Sequence, residues 1–180
     1  MAGVVDLSPG LQRWVRLAGL EMLQGTQTND GRTIIWNTGG EVRYFIGVVD
    51  EWYLITSSDR MGPEAFEFAG RTMSVVEKYL YKLFGLSVRG ENLPSIRIPF
   101  RRDELRVGYS IGVLTFAGRE RHTLIDERGV EVAIAGVEDL VELSHYINAT
   151  DKMVEESYLA ADGKPIFGTD DHGFNHDNEC

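Results

Sequence analysis

Cysteine is almost absent from these 180 residues: the one present is Cys180. An internal disulfide cannot form, and a zinc site built on thiolates lacks its ligands. No apolar run approaches the roughly eighteen residues that a membrane-spanning helix requires. The opening MAGVVDLSPG carries neither a basic n-region nor an apolar h-region, so the expected location is cytoplasmic. The phosphate-loop pattern is missing, G-x-G-x-x-G follows no strand, and there is no G-x-S-x-G elbow. These absences remove the commonest nucleotide-binding and hydrolase signatures.

Positive charge is also scarce. Eighteen Lys and Arg face 28 Asp and Glu, for a net charge of −10. Residues 151–180 contribute much of that excess, with eight acids against two lysines. Such a balance disfavours nonspecific binding to nucleic acid and to anionic membranes, and it suits a basic partner or simple solubility. A composition of 43% hydrophobic and 26% charged residues fits one globular domain with a real core. The expected division is a single domain over 1–168 followed by an acidic polar tail over 169–180.

Ser8 and Pro9 predict a helix start, with Leu11, Trp14, Val15 and Ala18 at helical spacing and Gly19 closing it. A strand over LEMLQGTQT runs to the Asn29-Asp30-Gly31 turn, and RTIIWN returns to Gly39-Gly40. VRYFIGVV and WYLITSS then form a hairpin around Asp50-Glu51. Connections this short make the meander antiparallel.

The run RTMSVVEKYLYKLFG predicts a helix over 72–84 ended by Gly85. One face carries Val75, Val76, Tyr79, Leu80, Leu83 and Phe84; the other carries Glu77, Lys78, Tyr81 and Lys82. IRIPF reads as an edge segment because Pro99 limits pairing. YSIGVLTF and RHTLIDERGVEVAIA add strands that turn at Arg128-Gly129, and Val137, Leu140, Val141, Ser144 and Ile147 mark a further helix that DKMVEESYLA continues or restarts. The fold class is α+β: a mainly antiparallel sheet with two or three packed helices.

Candidate chemistry is thin. Ser57, His145 and Asp59 can be drawn as a triad, but many such sets could be drawn, and His145 reads as a half-buried helix residue. Asp170, Asp171, His172, His176, Asp177 and Cys180 have metal-ligand types, yet on a polar terminus with Gly173 and Asn175 they read as a solvated tail. The expectation is no cofactor, no metal and no catalytic residue. Arg60, at the end of WYLITSSDR, is read as structural: it would pair with Glu64 or Glu77, or bind carbonyls at a loop end.

The order of WYLITSSDR, FEF and VVEKYLYKLFGLSVR, with an arginine four residues beyond the glycine, is followed by VGYSI, LIDERGVEVAI, LSHYI and SYLAADGKPIF. From about Trp36 to Phe167 this resembles the actinobacterial immunity proteins of polymorphic toxin systems, which neutralise NAD-hydrolysing toxins of the tuberculosis necrotizing toxin type. The resemblance implies a non-enzymatic intracellular antidote, in a heterodimer with the catalytic domain of its cognate toxin, blocking entry of NAD. Charge and turn stiffness, apart from the resemblance, suggest Asn29, Asp30, Asp50 and Glu51 as inserted hairpin tips, with Asp170 and Asp171 steering from the tail. Two rival readings are a small hydrolase or nucleotide-binding enzyme with a cleft around Ser57, Asp59 and Arg60, and an adaptor or chaperone for a secreted toxin.

Overall fold

Apolar residues alternating along a strand place one row of side chains on each side of a sheet, whereas 3.6-residue spacing gathers them on one stripe of a helix. In the computed structural model, which describes residues 3–169, both periodicities appear in chain order. The helices are α1 (Pro9–Leu17), α2 (Met73–Arg89), α3 (Val137–Tyr146) and α4 (Asp151–Leu159). The strands are β1 (Glu21–Leu23), β2 (Thr33–Trp36), β3 (Val42–Val49), β4 (Trp52–Asp59), β5 (Ala65–Gly70), β6 (Ile96–Arg97), β7 (Ser110–Phe116), β8 (Arg119–Ile125), β9 (Glu131–Ile134) and β10 (Gly168–Thr169).

Strands β1 to β4 form the expected meander, β5 extends it, and β7 to β9 form a second one. They join where Ala69 and Gly70 of β5 pair with Ile134 and Ala133 of β9. The result is one antiparallel sheet of eight strands in the order β1-β2-β3-β4-β5-β9-β8-β7, beside a two-stranded β6–β10 ladder. The α+β class therefore holds, with four helices because Thr150 caps a fresh start at α4. The strand expected over 20–28 shortens to three residues, since a 3₁₀ turn at Gly25–Gln27 takes over. There Gly25 N–H bonds the Val5 carbonyl, lacing the N-terminal segment beside the sheet.

Helix α2 departs most from expectation. It runs past Gly85 to Arg89, and Gly90, at φ 66°, is its cap. Gly85 serves a different purpose: a Cβ there would sit 2.4 Å from the ring of Tyr158 on α4. The glycine sets how closely two helices approach. The face expected in water is buried too, with Lys78 only 3% and Glu77 only 8% exposed and Tyr81 sealed completely.

A helix whose middle turns are buried all round must find partners for its charges. Glu77 accepts from the Ser8 backbone at 2.6 Å, and Lys78 pairs with Asp151. Lys82 pairs with Asp139 and approaches Glu142 at 3.8 Å. Arg89 donates to the carbonyls of Tyr158 and Ala160, both at 2.7 Å, and to those of Ala161 and Pro94. Those first carbonyls belong to the end of α4, where a helix leaves acceptors unpaired. Trp14 of α1 closes the third side, its indole N–H reaching the Tyr81 carbonyl at 3.1 Å.

Glu142 lies under this bundle, accepting from the Tyr158 hydroxyl at 3.2 Å and the Tyr146 hydroxyl at 3.4 Å. Burial raises its pKa from the ordinary 4.5 to about 7, with Lys82 and the two hydroxyls pulling the other way. A carboxyl with a raised folded pKa binds its proton more tightly in the folded state. Its contribution is complete below pH 4.5 and is lost as pH rises through 7.

Two measurements check this packing. Gly85→Ala drives a methyl into the Tyr158 ring and is expected to cost about 1–3 kcal/mol in urea denaturation. Between pH 5 and 8 the stability of the native protein is expected to fall by up to about 3 kcal/mol more than that of Glu142→Gln. Parallel pH dependences for the two proteins would assign Glu142 an ordinary pKa.

Candidate functional site

The sheet has one face against helices and one without. Ile35, Ile46, Ile55, Phe68 and Leu124 point into the main core. The alternating residues between them, Ile34, Trp36, Arg43, Phe45 and Leu54, lie on the other side and are each half-buried. Both rows of β2 to β4 are therefore rich in apolar groups, although helices cover only one.

Part of the second face is covered by the sheet itself. Strands β4 and β7 stand four positions apart, which in a flat sheet means about 19 Å at about 4.8 Å per step. Yet the rings of Trp52 and Phe116 lie 6.0 Å apart, and Phe66 reaches the same Phe116 ring at 5.9 Å. The β7–β8 hairpin thus curls back over the helix-free face. Gly112 of β7 permits the bend, since a Cβ there would sit 2.8 Å from the Ile125 side chain. Trp52, Ala69, Phe116 and Ile134 form a small second core under this flap.

Three arginines lie over aromatic rings on this face. Arg71 sits 4.1 Å above Trp52, Arg121 3.7 Å above Phe66, and Arg32 4.7 Å from Phe45. Two are also neutralised. Arg32 bridges Asp30 at 2.7 Å and Glu64 at 2.8 Å, and Arg71 lies 3.8 Å from Glu51 and 3.7 Å from Glu131. Hydrogen bonds from Arg32 hold the Asp30 carboxyl below its usual pKa. Arg121 has no such partner: burial, and then the charge of Arg119, lower its pKa, and its Nε is buried without a hydrogen bond.

The expected tips fall at one end of the sheet, because β2 starts where β3 ends. Asn29, Asp30, Asp50 and Glu51 are all exposed. Asp50 and Glu51 take left-handed φ values of 47° and 67°, making a two-residue turn between the paired Val49 and Trp52. Asp30, however, is held back by Arg32 rather than left projecting alone. Asp170 and Asp171, like the metal-type cluster through Cys180, lie outside the described residues.

The drawn triad is not assembled. The Ser57 hydroxyl donates to Glu67 at 2.5 Å, His145 Nε2 lies 2.8 Å from the Glu104 carbonyl, and Asp59 is exposed at its strand end. Arg60 pairs with neither acid expected for it, since Glu64 is taken by Arg32 and Glu77 by Ser8. It sits exposed at φ 46°, its N–H bonding the Glu41 carbonyl at 2.7 Å. It is a turn residue. What the sequence reading missed is the arginine–aromatic face. Its signal was present in RTIIW and VRYFI, where residues of both alternating sets are large and apolar.

Comparison with known proteins agrees with this architecture. The sequence model of the family described as Immunity protein 61 matches residues 14–166. A Mycobacterium tuberculosis protein named immunity factor for TNT is 58% identical over 164 residues, covering 91% of this chain and 93% of that one. A Mycobacterium bovis BCG protein, named as its homolog, matches to the same extent. The solved structure of Rv3902c from M. tuberculosis superposes with a TM-score of 0.88 at 58% identity, covering 92% of this chain and 95% of that one.

Proposed function

The chain belongs to the immunity protein 61 family, and from that membership we propose that it is the antidote to a toxin of the TNT kind. The observation that carries this reading is 58% identity, over 91% of the chain, to proteins named as immunity factors for TNT. The protein acts as a binding partner and not as a catalyst. It forms a heterodimer with the toxin's catalytic domain in the cytoplasm of the producing cell, and it blocks access of NAD by occupying the entrance.

Physical features support such a role. An occluding partner needs a stiff surface, on the order of 800 Å² per side in a stable complex. Strand-borne side chains and two-residue turns supply one at little ordering cost. The Asp50–Glu51 turn is the stiffest acidic projection and remains the favoured inserting tip. Asp30 works beside it as part of the Asp30–Arg32–Glu64 network. Asp170 and Asp171 serve long-range steering.

Mixing the purified chain with the TNT catalytic domain is expected to abolish NAD hydrolysis at equimolar ratio and to give a single 1:1 species in light scattering. Glu51→Ala, together with Asp50→Ala, is expected to speed dissociation several-fold with little change in association, because groups desolvated on the toxin lose their mates. Ser57→Ala and His145→Ala are expected to inhibit as well as the native protein. NAD hydrolysis continuing in the presence of excess chain would overturn the reading.

A further inference from the structure

Charge is unevenly matched over the helix-free face. Near the Asp50–Glu51 turn its arginines are matched by carboxylates. By the turns at Gly39–Gly40 and Arg60–Met61, and on the β7–β8 flap, they are not. Among the described residues, Arg43, Arg60, Arg119 and Arg121 form no ion pair. The acids of these segments, Glu41, Asp59 and Glu120, are exposed and pair with none of them. Arg13, Arg16, Arg102 and Arg106 are also without a carboxylate, but they lie on α1 and on the segment between β6 and β7.

An unpaired surface arginine is ordinary; this grouping is not. Arg43 shares a shallow depression with Ile34, Trp36 and Phe45, its guanidinium folded down over Gly40. Arg121 is pinned on Phe66 with a donor facing no acceptor. A buried donor left unmade is destabilising. Both cations are held on strands, so little side-chain freedom remains to be lost on docking. In a chain of net charge −10, four arginines here stand against three exposed acids.

We propose that the part of the helix-free face where Arg43 sits beside Trp36 and Phe45, with Arg121 over Phe66 two strands away, is a docking surface for an acidic segment of the toxin. The proposal rests on the antidote reading and gives it a second anchor, opposite in charge to the hairpin tips. Arg43 and Arg121 each offer a planar fork of donors that matches a carboxylate. The apolar floor around Arg43 supplies the aromatic contacts that dominate interface energetics. Acidic tips and unpaired guanidinium groups at separate places on the face would fix the toxin in one orientation, since a reversed complex sets like charges together.

The test is charge reversal read as rates. Arg43→Glu, Arg121→Glu and, as a control behind the sheet, Arg13→Glu are each titrated against the TNT catalytic domain by surface plasmon resonance at two salt concentrations. Thermal melting serves as a folding check. Arg43→Glu and Arg121→Glu are expected to slow association and flatten its salt dependence, and to speed dissociation by about tenfold or more, while Arg13→Glu matches the native protein. Arg43→Glu decides alone if Arg121→Glu lowers the melting temperature. Native rates for Arg43→Glu, with inhibition of TNT intact, would overturn the docking surface and leave the antidote reading standing. Failure of the unaltered chain to inhibit TNT would remove the reading beneath it. Salt-resistant binding of a fluorescent single-stranded RNA that Arg43→Glu abolishes would overturn the assignment of a protein partner.

Discussion

A helix buried all round along its middle turns cannot keep its charges unless other elements come to meet them, and α2 sets this condition for the whole molecule. Its Glu77 draws in the start of α1, Lys78 the start of α4, Lys82 the first turn of α3, and Arg89 the end of α4. The other three helices are therefore placed by electrostatic need as much as by apolar fit. Removing one member of such a pair leaves a desolvated charge behind, which is why these contacts specify the arrangement. The close approach at Gly85 completes it by bringing Tyr158 over the α2 backbone.

Gathering every helix onto one side leaves the sheet with an uncovered face, and the curl of β7–β8 covers only the part over β4 and β5. The fold thus divides its apolar content unequally. A large core lies beneath the helices and a small one beneath the flap, while Ile34, Trp36, Phe45 and Leu54 are left at the surface. Half-buried aromatics among fixed guanidinium groups are what a protein interface tends to contain. Ordinary alternation would have put polar residues there.

Local rules read most of this architecture from the sequence. Ser8 and Pro9 start α1, Asp50-Glu51 turn a hairpin, and short connections make the meander antiparallel, because each depends on neighbours a few residues apart. Where the reading failed, the deciding contact was distant. Gly85 looks like a helix stop until Tyr158, far along the chain, explains it as a point of close approach. Glu77, Lys78 and Lys82 look like a solvated face until residues from three other helices or their caps are placed against them. The curl that joins Trp52 to Phe116 leaves no trace in periodicity at all. At the candidate site, the acidic tips were legible as turns, but the half-burial of Trp36 on the helix-free face depended on which face the helices chose. Arg60 sits in an exposed turn, and the two acids expected to pair with it are committed elsewhere.

The Arg89 contacts have a consequence for how the protein comes into being. Its acceptors at Tyr158, Ala160 and Ala161, like the Asp151 that meets Lys78, belong to the last part of the described chain. Until α4 has been made, a nascent chain therefore carries α2 with Lys78 short of its carboxylate and Arg89 held by the Pro94 carbonyl alone. The β1–β5 meander can pair from local contacts, but the helical layer that backs it closes only when α4 arrives. A chain that stops before α4 is thereby left with an open bundle.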